Sequence, residues 1–484
     1  MPLQISGGSF QQQAALILRG CCHFLWIGDS QSYQARNFSI ASVGIPSRLP
    51  IRWNYIIASA ASAPHPGTYA QTGGVSESVV GTSTGYGALV GDVTSGVGTP
   101  ALGAPTTKVA FSGNSTATDW TWTAPNNQGG WLLMRECAGS TTKANQYMPW
   151  PLLSNNSYNP WYHGQHVKAA MVIQGQSAGA GVLSFGQGLR RVGASATGAA
   201  SWSDVAVTDL ANIQRTAWSA TVADDGNYQT TISNGLLNDH YLHLGARSAS
   251  GYDETGKSLI FMKAMWARCD SGGAITWNNT DGLNSGAGYD SFGRSGSAIT
   301  DWESNYWSET QWAEYFGATV MVPNSVTVMA IMLGHNCVQV SGSTMTAAFT
   351  TSWRNFITKI RNAYETAFPI ALFPSRKLHL MIVTPWYNDS ESNFMQGAGV
   401  AGGRSMQAAY ENLAATTADC SWFSFFNYFG EAEPFDQLHA DNEISGNMLA
   451  DAFMDALHRA TNFAYASRGT VLTGASRQSR AARV

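Results

Sequence analysis

His23-Phe24-Leu25-Trp26-Ile27-Gly28-Asp29-Ser30 is the stretch on which the reading of this chain turns. A short run of strand formers ends on a glycine, and two polar residues follow at once. Because apolar residues follow one another without polar alternation, the run reads as a strand buried on both faces, as in a parallel sheet. A serine just past such a strand stands at the carboxyl end, where α/β folds place their sites. Taken alone, Gly-Asp-Ser also describes an ordinary turn.

Two later runs repeat the pattern. Val326 to Leu333 and Leu378 to Thr384 are continuously apolar. Between them Trp353, Phe356, Ile357, Ile360 and Tyr364 recur at helical spacing, and Leu449, Phe453, Met454 and Leu457 do so near the end, with Ser445 placed as a cap. The middle of the chain has another texture. From about Lys108 to Asp270, short aromatic or alternating segments such as Asp119 to Thr123 and Lys168 to Ile173 are separated by turn residues. The spacing predicts an α/β domain with a parallel sheet, split into segments 1–60 and 285–465 around an inserted β-sandwich at 108–275. A Gly/Ser/Thr-rich excursion fills 61–107, and a small, basic tail covers 466–484. An insertion leaving after Ser30 and returning before Gly296 is expected to have both junctions on the carboxyl-end face of the sheet, as a separable module beside the site.

Composition bounds the function. The chain has 484 residues with 27 basic and 31 acidic side chains, a net charge of −4, and only 12% charged residues against 11% aromatic. A disordered polyelectrolyte is excluded. No Lys/Arg cluster is present to neutralise phosphates, so a nucleic-acid partner is not expected. No apolar run is long enough for a membrane span, and Ala14 to Leu18 is too short for the core of a cleaved signal peptide. The six cysteines show no CxxC and no metal-ligand spacing, which reads as buried thiols.

Three further motifs follow Ser30 in chain order. Gly293-Arg-Ser-Gly296 is a glycine turn ahead of a Trp-rich, helix-like segment. Gly334-His335-Asn336 ends the strongest apolar strand, where an asparagine is either a turn residue or an amide donor facing a site. Asp436-Gln-Leu-His439 precedes the last helix. It is either a helix-start box with a surface histidine, or a carboxylate that orients a general base three residues on.

These four blocks in this order resemble the SGNH (GDSL-type) hydrolases, over about 30–60 and 285–465. The resemblance implies a flavodoxin-like, three-layer α/β/α fold and a metal-independent, cofactor-free serine esterase. It makes Ser30 the nucleophile, His439 the base and Asp436 its partner. The oxyanion hole then consists of the Ser30 and Gly296 amides and the Asn336 side chain. Cys337 departs from the family, which usually has aspartate after the block-three asparagine.

A rival nucleophile is Ser177 in Gly175-Gln-Ser177-Ala-Gly179, which matches a nucleophile elbow. No helical period follows it, so it reads as a hairpin turn. The pairs His163/His166 and His240/His243 lack a carboxylate or cysteine that would complete a metal site. The tryptophans read mostly as core. The expected activity is removal of O-acetyl groups from a polysaccharide, outside the cell or on a virion. The alternative is a structural or receptor-binding virion tail or fibre protein that carries the hydrolase fold as an accessory glycan-modifying domain, with a homo-oligomer or virion assembly as the expected partner.

Overall fold

The computed structural model describes residues 9–29, a few positions between 32 and 48, mainly the backbone of the strands between 55 and 293, and most of 297–461. Strand β1 (Cys22–Gly28) is buried at all seven positions. With β2 (Tyr55–Ser59), β3 (Lys257–Cys269), β4 (Gly288–Gly293), β5 (Val326–Met332), β6 (Lys377–Thr384) and β7 (Cys420–Ser424), it forms one sheet in the order β7-β6-β5-β1-β4-β2-β3. All neighbours pair in parallel except β2 with β3, which are antiparallel. The chain passes from β4, on one side of β1, to β5 on the other, so the order of strands reverses around β1. In an open α/β sheet that is where the crevice for a ligand opens.

Helices cover both faces, which is why β1 is apolar at consecutive positions. Leu25 and Ile27 share a core with α2 (Glu309–Thr319), α3 (Ala347–Ala367) and α4 (Gly399–Thr416). Phe24 and Trp26 face the other way and meet Phe453 of α6 (Glu443–Thr461) at ring-centroid distances of 6.0 and 5.4 Å. A single turn, α5 (Phe425–Phe429), precedes α6. The predicted helix around Trp353 to Tyr364 is α3, with those five aromatic and aliphatic residues turned inward. Ser445 is not a cap: it is the third residue inside α6.

Helix α1 (Phe10–Arg19) has no counterpart in the sequence reading. Its buried Gln13 is held at both ends of its amide, donating from Nε2 to the Leu380 carbonyl (3.0 Å) and accepting at Oε1 from Ser421 Oγ (2.5 Å). A buried amide is tolerated here because both ends are satisfied.

The middle of the chain is antiparallel, as its texture predicts. Strand β3 pairs with His166–Ser177 and Leu132–Glu136, and a separate sheet runs in the order Gln146–Pro151, His240–Ala246, Leu183–Arg191, Ser203–Val207. Two expectations change. First, this block is not hung on loops: β3 continues the main sheet beyond β2, and Val172 and Ile213 are buried in the same core as Trp307 and Trp312. Second, its two junctions lie at opposite ends of the sheet. The chain leaves at the carboxyl end of β2, whereas β3, running antiparallel, delivers it toward the amino end, where β4 starts level with His23. The antiparallel pairing of β2 with β3 is the physical reason, since each reversal exchanges the ends.

Candidate active site

Strand register brings the carboxyl ends of β1, β4 and β5 level with one another. Gly28 lies opposite Gly293 on one side and Met332 on the other, so the segments after β1, β4 and β5 leave the sheet side by side at one level. Their sequences are Asp29-Ser30, Arg294 to Gly296 and Leu333 to Asn336.

The turn after β1 is braced from beneath. The Ser32 amide donates to the Asp29 carbonyl (3.1 Å), and Trp26 Nε1 donates to Ser32 Oγ (2.8 Å). Position 28 has to be glycine. A Cβ there would lie 2.1 Å from Ser32 Oγ and 2.8 Å from the Met332 carbonyl oxygen. Asp29 is buried.

The turn after β5 is held by α4. Gly334 has φ +151, and a Cβ on it would come within 2.6 Å of Met406 Sδ. Tyr410 Oη donates to the Leu333 carbonyl (2.6 Å), and the Cys337 amide closes the turn onto the Gly334 carbonyl (3.1 Å). His335 is buried with its ring 5.5 Å from Trp386, while Asn336 is half-buried at the surface of the turn.

Asn336 joins the two neighbouring motifs. Its Nδ2 donates to the Ser297 carbonyl (3.2 Å), one residue past Gly296. Ser297 is itself fixed, its buried hydroxyl accepting from Trp302 Nε1 (3.1 Å). The next amide, of Ala298, donates to Asp301 Oδ2 (2.8 Å) at the start of the π-helical turn Asp301–Asn305. A primary amide carries two N–H donors. One is spent on Ser297, which sets the plane of the group. Among the described residues the other has no acceptor and is available to a ligand.

Cys337 is buried and packs 4.0 Å from Met345 Sδ; burial pushes its thiol pKa up to about 11, so it stays protonated. The residue that departs from the family pattern is therefore a small apolar filler here. The phenol of Tyr410 is also raised, by burial first and then by the negative charges possible on Cys337 and Asp29, so it remains a donor at neutral pH.

Ser30, Gly296, Asp436 and His439 lie outside the described residues. What is described lies around them: the turn at Asp29 and Ser32, Ser297, and α6, which starts four residues after His439. Arg48, downstream of Ser30, reaches α6, with Nε 2.7 Å from Asp451 Oδ1 and Nη2 3.4 Å from the Asn447 carbonyl. Ser177 is the last residue of a strand, and the next described element is the strand Leu183–Arg191, not the helix an elbow needs. The two strands belong to different sheets, so this is a crossing between sheets and not a hairpin turn. His163 is outside the described residues, and His166, His240 and His243 lie on antiparallel strands. Among the described residues, no group of three or more His, Cys, Asp or Glu could hold a metal ion. The seven largest fully buried side chains are all tryptophans, so in the described part of the chain tryptophan builds the core. Ser297 and Tyr410 were not singled out from the sequence, where a serine after a glycine turn and a helical tyrosine carry no distinguishing signal.

No family model matches the sequence, and neither does any curated protein. Among solved structures, a peptidoglycan O-acetylesterase aligns over 93% of this chain and 96% of its own, at 10% identity and a TM-score of 0.37. The carbohydrate acetylesterase Est24 from Sinorhizobium meliloti aligns over 35% of this chain and 79% of its own, at 16% identity and a TM-score of 0.23. A further carbohydrate esterase aligns over 70% and 96%, at 8% identity and a TM-score of 0.23. At TM-scores this low the likeness carries no argument about this chain.

Proposed function

We propose that the chain is a serine ester hydrolase of the SGNH type that removes O-acetyl groups from a polysaccharide. The observation that supports this reading is that the strands preceding three of the motifs, β1, β4 and β5, end at one level, with the Asn336 amide plane set by Ser297 and one N–H left over.

In the proposed reaction Ser30 Oγ attacks the acetyl carbonyl carbon while His439 accepts its proton and Asp436 orients the imidazole. The tetrahedral oxyanion accepts hydrogen bonds from the Ser30 and Gly296 amides and from the second N–H of Asn336. Donors fixed before the reaction need no reorganisation as charge develops, and each is worth roughly 3–4 kcal/mol of barrier. Collapse expels the sugar hydroxyl, protonated by His439, and leaves an acetyl-serine. Water, activated by the same imidazole, then releases acetate and frees Ser30.

The polymeric substrate is supported by the course of β3. Lys263 pairs with Ser59, the end of β2, so residues 257–261 run on past the carboxyl edge of the parallel sheet with their own antiparallel neighbours. Strands that rise beside the crevice offer a long substrate a wall to lie against. We assign segments 1–60 and 285–465 to the hydrolase body and propose that the two antiparallel sheets of 108–275 form a sandwich. Acetylated glycans place the activity in the extracellular space or at a virion surface.

The test is acetate release from a panel of acetylated glycans, with p-nitrophenyl acetate as the small ester. Release should vanish in Ser30→Ala and persist in Ser177→Ala. An active Ser30→Ala protein, or no hydrolysis of any ester by the wild type, overturns the assignment.

A further inference from the structure

We infer that Tyr410 is a positioning residue for the oxyanion donor Asn336, and the inference rests on the esterase reading above. The turn that carries Asn336 touches α4 at two points one helical turn apart. Met406 packs against Gly334, and Tyr410 Oη donates to the Leu333 carbonyl at 2.6 Å. The phenol ring lies between Phe349, stacked on it at 5.4 Å, and Trp353, edge-on at 5.0 Å, so either neighbour alone keeps it in place. Burial keeps the hydroxyl protonated, so at neutral pH it holds the proton that it donates to Leu333.

Leu333 is buried, so without Tyr410 Oη its carbonyl would lack this partner in a dry environment, and the turn would have to move to recover one. Such a movement travels directly to Asn336. The segment from Leu333 to Cys337 is a tight turn closed by the Cys337 amide on the Gly334 carbonyl, and Asn336 lies inside it. Its outer contact is the Ser297 carbonyl at 3.2 Å, already a long hydrogen bond. A shift of a few tenths of an ångström therefore breaks the contact that sets the amide plane. Tyr410 touches no reacting atom, and its contribution passes entirely through the turn.

The experiment compares Tyr410→Phe, which removes one oxygen and keeps the ring, with Phe349→Leu, which loosens the same ring but keeps the hydroxyl. On a small acetyl ester, Tyr410→Phe should lower kcat about tenfold with KM nearly unchanged, a fraction of the hundredfold or more that loss of an oxyanion donor costs. Phe349→Leu should lower thermal stability and leave kcat of the folded protein near wild type. Tyr410→Phe added to Asn336→Ala should cost nothing further. A second readout is independent of activity. In protein labelled with 15N-asparagine, the Asn336 side-chain amide pair, identified by its loss in Asn336→Ala, should shift in Tyr410→Phe and stay in place in Phe349→Leu. The inference is overturned if Tyr410→Phe leaves both kcat and the amide pair unchanged, if Phe349→Leu matches it in kcat, or if it slows Asn336→Ala as much as wild type. Absence of Ser30-dependent hydrolysis in the wild type would instead defeat the esterase reading. The amide shift would still decide whether Tyr410 positions Asn336.

Discussion

At Gly28 there is no room for a methyl group. The hydroxyl and Cβ of Ser32 and the Met332 carbonyl all fall within 2.8 Å of where it would go, and two of the three belong to the turn after β1. Gly28→Ala should therefore cost about 1–3 kcal/mol of stability, the range for overfilling a packed site, and should also slow ester hydrolysis because the turn yields before the sheet does. A urea titration and a kcat measurement on the same sample check both. His379 supplies a pH dependence. It is buried on β6, its Nδ1 is 3.8 Å from Asp419 Oδ1, and Lys377 lies two residues away. Burial lowers its pKa, Lys377 adds to the lowering and Asp419 opposes it. The folded protein thus binds this proton less readily than the unfolded chain, whose value is about 6.5. Stability is complete above that pH and is lost as pH falls toward the folded-state value. The urea midpoint should drop between pH 7 and pH 5, and His379→Gln should flatten part of that drop. An unchanged slope in the variant would remove His379 from the account. Asn336 is legible as a candidate donor because polar groups seldom end so apolar a strand. Tyr410 is not, since only the fold shows which carbonyl its hydroxyl meets.

Two helices offer opposite outcomes for the same substitution. Gly317 in α2 has nothing within 4 Å of where a Cβ would stand, so Gly317→Ala should raise stability by about 0.5–1 kcal/mol through helix propensity alone. Gly403 in α4 would bring its Cβ within 2.6 Å of the Phe426 ring, which is buried, and Gly403→Ala should destabilise although alanine is the better helix former. Thermal melts of the two variants should move in opposite directions. The start of α2 is closed by a reciprocal cap, Ser308 Oγ accepting from the Gln311 amide (3.2 Å) while Gln311 Oε1 accepts from the Ser308 amide (3.0 Å). Ser308→Ala should cost about 1 kcal/mol. The same elements show what a sequence can disclose. Strands β1, β5 and β6 announce themselves because burial on both faces demands unbroken apolar runs. Strand β4, Gly288-Tyr-Asp-Ser-Phe-Gly293, does not. It is polar and glycine-flanked, and is made a strand by hydrogen-bonding partners on either side, which no local pattern records.

At the scale of the molecule, the antiparallel block and the α/β body share one core. Val172 and Ile213 belong to the same buried core as the aromatic residues of α2, and the Ile213 amide donates to Glu314 Oε2 at 3.0 Å. The texture change near residue 108 marked a new kind of structure, but periodicity could not reveal that β3 would continue the first sheet. Deletion of 108–270 should therefore yield insoluble protein or a loosely packed state that binds hydrophobic dye, because it strips β2 of a neighbour and exposes part of the core. Calorimetry of the intact chain should show the two regions unfolding in one transition. A soluble deletion variant with native-like near-UV circular dichroism would contradict the shared core.

During synthesis β1 emerges long before either of its neighbours, since its partners begin at Gly288 and Val326. Until β4 has been translated, this largely apolar segment has unpaired edges on both sides, and one edge stays open until β5 follows. Local contacts cannot shelter it, because the pairings it needs close very large loops, and loop closure of that size is slow. The nascent chain is thus most prone to association over the middle of translation, with β1 already out and β4 not yet made. Yield of soluble protein should depend on chaperone supply and growth temperature far more than the stability of the finished molecule would suggest.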